Sequence, residues 1–105
     1  MDPTLVIQYL SDENVRPFLI ISDINMPKLN GYELREKIIL DKKLNQKCIP
    51  YVFLSTSRAA SNVEKAYEYA IHGYFEKQFD FSKYQIMIKG IVDYWKSSIT
   101  PLKAS

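Results

Sequence analysis

Three polar side chains each stand where a short apolar run of the sequence stops: Asp23, Ser55 and Lys77. A carboxylate can act as a nucleophile and form an aspartyl-phosphate. An ammonium group can neutralise phosphoryl oxygens, and a hydroxyl can donate a hydrogen bond to one of them. One polar strand end is common, because such residues also begin loops. Three chemically matched ends together indicate phosphoryl transfer at Asp23.

The apolar runs before these residues are continuous rather than alternating. Continuous runs are typical of strands buried on both faces of a parallel sheet. We therefore predict strands over Phe18–Ile21, Tyr51–Leu54 and Tyr74–Glu76. Ligands bind beyond the carboxyl ends of such strands, so the carboxylate, the hydroxyl and the ammonium are expected to meet at one edge of the sheet.

Helical patterns alternate with the three strands, which implies βαβ crossovers and helices on both faces of a parallel sheet. We predict helices over Pro3–Leu10, from Gly31 to about Asp41, from a capping box at Ser61 to a terminator at Gly73, and after a cap at Ser82. His72 is expected to lie at the end of the third helix, where it favours the dipole. Residues 42–47 are predicted to form a polar loop. The inward candidates on the last helix are Ile86, Ile88, Ile91, Val92 and Trp95.

Length and composition indicate one globular domain of 105 residues, which we place at residues 1–98 with a C-terminal tail over 99–105. The net charge of +2 and scattered basic residues give no reason to expect nucleic acid or a membrane surface as a partner. No apolar run is long enough for a membrane helix. The single cysteine, Cys48, makes a reducing cytoplasm the expected setting.

The run from Asp23 to Gly31 resembles the D-x-x-M-P-x-x-x-G signature of response-regulator receiver domains. The segments 50–55 and 73–77 are similar to the family's next two strands, and small stand-alone bacterial receivers resemble this chain most in style. The resemblance implies a flavodoxin-like α/β fold and phosphorelay signalling. It also implies a signalling protein rather than an enzyme.

The resemblance implies a role for each matched residue. Asp23 is the expected phosphoacceptor, and a histidine kinase or a phosphotransfer protein is expected to supply the phosphoryl group. Ser55 and Lys77 are expected to bind the phosphoryl group, and Tyr74 is the expected switch aromatic. Mg²⁺ is the expected cofactor, held by Asp23 and the backbone carbonyl of Asn25. A downstream protein partner is expected on the face around Tyr74 and the last two helices.

The sequence departs from the family in its first part. A receiver has five strands in the order 2-1-3-4-5, and only the last three are identified, without the first strand, first helix and second strand. The missing first strand normally carries the acidic pair that holds Mg²⁺, and Asp12 and Glu13 lie at the wrong end of a strand to replace it. We expect weakened or absent Mg²⁺ binding and slow phosphorylation. The chain is interpreted either as a shortened receiver or as part of a longer one, with Met1 an internal methionine.

Three further expectations follow from the departures. Without its usual neighbour, the segment Phe18–Ser22 becomes an apolar edge, and such edges recruit partners, which predicts either a homodimer joined or swapped along it or a poorly stable monomer. Gln78 replaces the family's cis-proline, which predicts a trans bond and a displaced Lys77. Thr56 is bulkier than the family's usual residue and is expected to narrow access to Asp23.

Two other functions compete with the working receiver. A pseudo-receiver would keep the fold and bind a protein partner without being phosphorylated. A haloacid-dehalogenase-like phosphatase would also end its strands in Asp, Ser/Thr and Lys. That enzyme uses a D-x-D motif whose second Asp is a general acid. Asn25 occupies that position and cannot donate a proton, which disfavours the phosphatase.

Overall fold

The three predicted strands are present and form one parallel sheet. The computed structural model describes residues 17–24, 30–101 and 104. The strands are β1 (Ile20–Asp23), β2 (Tyr51–Ser55) and β3 (Gly73–Glu76), in the order β1-β2-β3. Their bounds differ from the prediction by at most two residues. The α/β architecture expected from the sequence is therefore confirmed within the described residues.

Within the described residues, four helices alternate with the strands or follow them. They are α1 (Gly31–Leu40), α2 (Lys42–Gln46), α3 (Ala60–Tyr67) and α4 (Phe81–Ser97). The helix predicted over Pro3–Leu10 lies outside the described residues. Among the helices that are described, none has the length and apolar character needed to cross a bilayer.

The central strand β2 is buried along its whole length. Tyr51, Val52 and Phe53 have no exposed surface, and the apolar core gathers around this strand. The Tyr51 hydroxyl donates to the backbone carbonyl of Gly31 at 3.4 Å. Burial raises the pKa of Tyr51 to about 12, so the hydroxyl keeps its proton and remains a donor at neutral pH.

The connection from β1 to α1 closes tightly at Gly31. The Gly31 amide donates to the carbonyl of Ile24 at 2.8 Å. A Cβ atom at this position would lie 2.8 Å from the Asp23 carbonyl oxygen and 3.0 Å from the Phe53 ring. Because both neighbours are held by the sheet, a larger side chain has no room, and α1 starts directly against the backbone of Asp23.

Two predicted helix caps were wrong. The third helix begins after Ala59, which makes no side-chain cap, so the Ser61 capping box is not formed. The last helix is capped by Asp80, whose carboxylate accepts from the Lys83 amide at 3.0 Å, and not by Ser82. In both cases an earlier residue, Ala59 or Asp80, already has the non-helical backbone that precedes a helix.

The polar loop predicted over residues 42–47 was also wrong, because the helix α2 occupies most of it. The Asp41 carboxylate accepts from the Leu44 amide at 3.1 Å and caps this helix. Leu44 is only 1% exposed and anchors the helix to the core. One apolar residue in a polar stretch was too weak a signal for an amphipathic pattern.

Gly73 does not terminate a helix, since α3 has ended at Tyr67 and Gly73 is the first residue of β3. His72 therefore does not lie at the end of α3. Its amide donates to the Tyr51 carbonyl at 2.8 Å, and its Nδ1 accepts from the Tyr51 amide at 3.0 Å. The imidazole thus extends the β2–β3 pairing by one residue.

The last helix buries less than its pattern predicted. Of the five inward candidates only Ile91 is fully buried, whereas Ile86 is 72% exposed. A groove of about 500 Å³ runs along this helix beside Phe75. Ile91 is therefore the one buried residue of this 17-residue helix.

We predict that Gly31→Ala destabilises the protein by about 1–3 kcal/mol, because the new methyl group collides with the backbone of Asp23. The matched control is Gly90→Ala in α4, where an added Cβ meets nothing within 4 Å. That change should stabilise by about 0.5–1 kcal/mol. Urea denaturation of both variants measures the difference, and equal stabilities would contradict the close contact.

Stability should fall on acidification because of His72. Burial and the positive charge of Arg35 lower the pKa of His72 from 6.5. As the pH drops below 6.5, the unfolded chain binds the proton first, so folding loses free energy until the lower folded pKa is passed. Protonation also removes the Nδ1 acceptor that Tyr51 uses.

Urea midpoints of the parent and of His72→Gln, measured between about pH 7.5 and pH 5, test this. The chain has one histidine, so the difference between the two curves reports on His72 alone. We expect the parent to lose more stability than the variant. Parallel curves would show that the His72 contact does not matter.

Candidate functional site

Asp23 is the last residue of β1 and lies at the carboxyl edge of the sheet. It is paired with Leu54 of β2. Its side chain is 31% exposed, and one of its carboxylate oxygens, Oδ2, forms an ion pair with Lys77 Nζ. A nucleophile at this position is held by the strand and remains accessible to solvent.

Lys77 follows β3, which lies on the other side of β2 from Asp23, and its side chain reaches the Asp23 carboxylate. Its backbone amide donates to the Ser55 carbonyl at 2.8 Å, which continues the β2–β3 ladder by one residue. From there the side chain, 32% exposed, crosses the end of β2 to the carboxylate. No cis peptide bond occurs among the described residues, so the bond to Gln78 is trans as expected, and Lys77 still reaches Asp23.

Ser55 ends β2 between these two residues. It is 6% exposed and follows Leu54, the register partner of Asp23. Its Oγ accepts from the Ser57 amide at 3.1 Å. A hydroxyl in this arrangement still has its own hydrogen to donate. Thr56, expected to narrow the site, is exposed.

Tyr74 connects β3 with the loop after β2. Its side chain is half-buried, and its hydroxyl donates to the Ser57 carbonyl at 2.7 Å. Ser57 therefore bonds Tyr74 through its carbonyl and Ser55 through its amide. This link was not predicted, since nothing in the sequence marks which backbone carbonyl a tyrosine will reach.

The signature segment is only partly described. Asn25, whose carbonyl is the expected metal ligand, and residues 26–29 lie outside the described residues. Asn30 caps α1 by accepting from the Glu33 amide at 2.9 Å. The sequence pointed to Gly31 through its place in the signature, but its role as the contact with Asp23 emerges only from the structure.

The donor set for a metal ion is small. Within the described ranges no group of three or more His, Cys, Asp or Glu side chains is placed to hold one. Asp23 supplies the carboxylate at this edge, and it already faces Lys77. Mg²⁺ prefers six oxygen ligands, so these residues alone fit a tightly held ion poorly.

Sequence comparison gives matches over most of the chain. The family model of the response regulator receiver domain matches residues 2–89. Response regulator Rcp1 of Synechocystis sp. is 33% identical over 89 residues, or 85% of this chain and 59% of Rcp1. The probable transcriptional regulator ycf29 of Pyropia yezoensis is 38% identical over 74 residues, or 70% of this chain and 32% of that protein. The chain thus spans less than two thirds of the length of these relatives.

Solved structures agree with this assignment. The phosphorylated cyanobacterial phytochrome response regulator RcpA matches with a TM-score of 0.80 and 31% identity, over 95% of this chain and 74% of RcpA. The Mn²⁺-bound form of Rcp1 matches with a TM-score of 0.76 and 30% identity, over 95% of this chain and 75% of that one. With Asp23 and Lys77 paired at the carboxyl edge of a parallel sheet, these matches show that the chain belongs to the response regulator receiver domain family of two-component signalling.

Proposed function

We propose that Asp23 accepts a phosphoryl group from a histidine kinase or a phosphotransfer protein, and that the phosphorylated domain signals through a protein surface. The observation that carries the proposal is the ion pair between Asp23 and Lys77, with the Ser55 hydroxyl at the same edge. A carboxylate nucleophile, a cation and a hydroxyl are the groups that such a transfer needs.

The transfer needs no other reactant than Asp23 and the phosphorylated donor. A carboxylate oxygen of Asp23 forms a bond to phosphorus while the bond from phosphorus to the donor's imidazole nitrogen breaks. The electron pair of that bond stays on the nitrogen, and the chain gains an acyl phosphate. Lys77 then pairs with phosphoryl oxygens instead of the carboxylate, and Ser55 donates its hydroxyl hydrogen to one of them.

The path to the surface runs through Ser57. When Ser55 turns toward a phosphoryl oxygen, it gives up the hydrogen bond from the Ser57 amide. Since the Ser57 carbonyl is the acceptor for Tyr74, the same loop movement changes where that ring lies. Phosphorylation would thus be read as a change of Tyr74 on the face formed by β3, α3 and α4.

The proposal includes a divalent cation, but one that is weakly bound. Rcp1 has been solved with Mn²⁺ bound. In this chain Asp23 is the carboxylate that would hold Mg²⁺, and the ion would offset charge on the phosphoryl group. With one described carboxylate at the edge, we propose weak Mg²⁺ binding.

Incubation with acetyl phosphate and MgCl₂ tests the proposed acceptor. We expect a phosphoryl adduct by intact-mass spectrometry that is absent in Asp23→Asn. Lys77→Met should slow its formation at least about tenfold, because one charge-stabilising donor is lost from a half-exposed site. Lys89→Met is the matched control, since that lysine pairs with Asp93 on the far part of α4.

The Mg²⁺ dependence of the same reaction tests the weak metal site. The rate should keep rising into the millimolar range without saturating. Saturation at micromolar Mg²⁺ would contradict weak binding. An adduct that persists in Asp23→Asn would remove Asp23 as the acceptor.

A phosphorylation-impaired pseudo-receiver is the second candidate. The observation that favours it is the small donor set for a metal ion, because no group of three or more His, Cys, Asp or Glu side chains among the described residues could hold one. Such a protein would still bind its partner through the Tyr74 face. The absence of any adduct with acetyl phosphate, in a chain that still folds, would select this function.

Self-association along the first strand is a further part of the proposal. Within the described sheet β1 takes an outer position, and the mostly apolar segment Phe18–Ser22 covers all of this strand except Asp23. We propose a homodimer along this edge in the cytoplasm.

Light scattering after size exclusion should give about twice the chain mass of 12.3 kDa. Ile86→Lys, on the exposed face of α4, should leave that mass unchanged. A monomer mass for the parent would contradict the dimer. A dimer lost in Ile86→Lys would place the interface on the helix instead.

A further inference from the structure

A second pocket lies at the opposite edge of the sheet from Asp23. It has a volume of about 220 Å³ and lies beside the start of β2 and the residue before β3. Helices α1 and α2 close its other sides. Its lining includes Arg35, Ile38, Leu44, Asn45, Cys48 and Ile49.

Arg35 is the unusual member of this lining. It is only 7% exposed, although charged side chains are rarely buried without an opposite charge. Its Nε donates to the Tyr69 carbonyl at 3.0 Å and its Nη2 to the Ala70 carbonyl at 2.7 Å. None of the ion pairs among the described residues includes Arg35.

The guanidinium keeps unused donors and an uncompensated charge. Two of its five N–H groups serve the carbonyls. Its carbon lies 5.2 Å from the centre of the Tyr51 ring, which offsets only part of the charge. Burial lowers the pKa of Arg35.

The remaining lining describes the ligand. Ile38, Leu44 and Ile49 are each at most 5% exposed and form an apolar wall. Asn45 and Cys48 are exposed and stand at the mouth. A cation beside an apolar wall suits an anion that carries a short hydrocarbon chain, because a fully hydrated inorganic ion leaves the wall uncovered.

We propose that this pocket binds a small aliphatic carboxylate, with the carboxylate on Arg35 and the chain against Ile38, Leu44 and Ile49. The site is separate from Asp23, so a metabolite bound there would act on the α3–β3 connection that Arg35 holds. Binding would add a negative charge beside the Arg35 guanidinium, which donates hydrogen bonds to the Tyr69 and Ala70 carbonyls.

Cys48 provides the reporter, because it is the one cysteine of the chain and its side chain is exposed. Alkylation with iodoacetate, which carries a carboxylate, is compared with neutral iodoacetamide in the folded protein and in urea. We expect the ratio of the two rates to be roughly tenfold higher in the folded protein. Butyrate should slow the iodoacetate reaction saturably, whereas NaCl at equal ionic strength should not.

Two variants separate the pocket from surface charge. Arg35→Gln should return the ratio to its value in urea, and Lys42→Gln, an exposed charge outside the pocket, should not. An unchanged ratio in folded and unfolded parent protein overturns the proposal, and so does an enhancement that survives in Arg35→Gln. If that variant does not fold, the butyrate competition in the parent decides alone. Protection by inorganic phosphate but not by butyrate also rejects the aliphatic carboxylate.

Discussion

The complete burial of β2 is the constraint on which the rest of the structure depends. A strand without exposed surface must be paired on both sides and covered on both faces, because its backbone groups have no water to bond. That pairing sets β1 and β3 level with each other across β2. Asp23 and Lys77 meet because their strands share this neighbour, and they come together over its last residue, Ser55. The chemistry at the edge is therefore a by-product of how the core is paired.

The two ends of the sheet solve the same electrostatic problem differently. At the carboxyl edge a half-exposed cation and a carboxylate neutralise each other, and either can be drawn to a new partner. At the amino edge Arg35 is buried among carbonyls and a ring, with no described acid to pair with. The arrangement at Asp23 and Lys77 suits a phosphoryl group that is attached and removed repeatedly. The arrangement at Arg35 suits a ligand that binds without a covalent bond, in proportion to its concentration.

The buried strands could be predicted from the sequence, whereas the residues at which helices begin and end and the individual long-range contacts could not. The strands and the convergence of Asp23, Ser55 and Lys77 follow from apolar runs and the geometry of parallel sheets. The helix α2 could not be seen, since it rests on one buried leucine and an Asp41 cap. The pairing of His72 with Tyr51 and the bond from Tyr74 to Ser57 join residues far apart in the chain, and their amino-acid types alone do not select each other.

The bond from the Tyr74 hydroxyl to the Ser57 carbonyl limits how far the resting and phosphorylated states can differ in their conformer populations. A neutral hydrogen bond in a protein contributes about 0.5–1.5 kcal/mol net. Gaining or losing that amount changes the ratio of two conformers by a factor of about two to thirteen. An output driven by this one bond would be graded, with an appreciable background in the resting state. A sharper response would need the partner itself to favour one conformer, so the contrast would belong to the complex rather than to the domain.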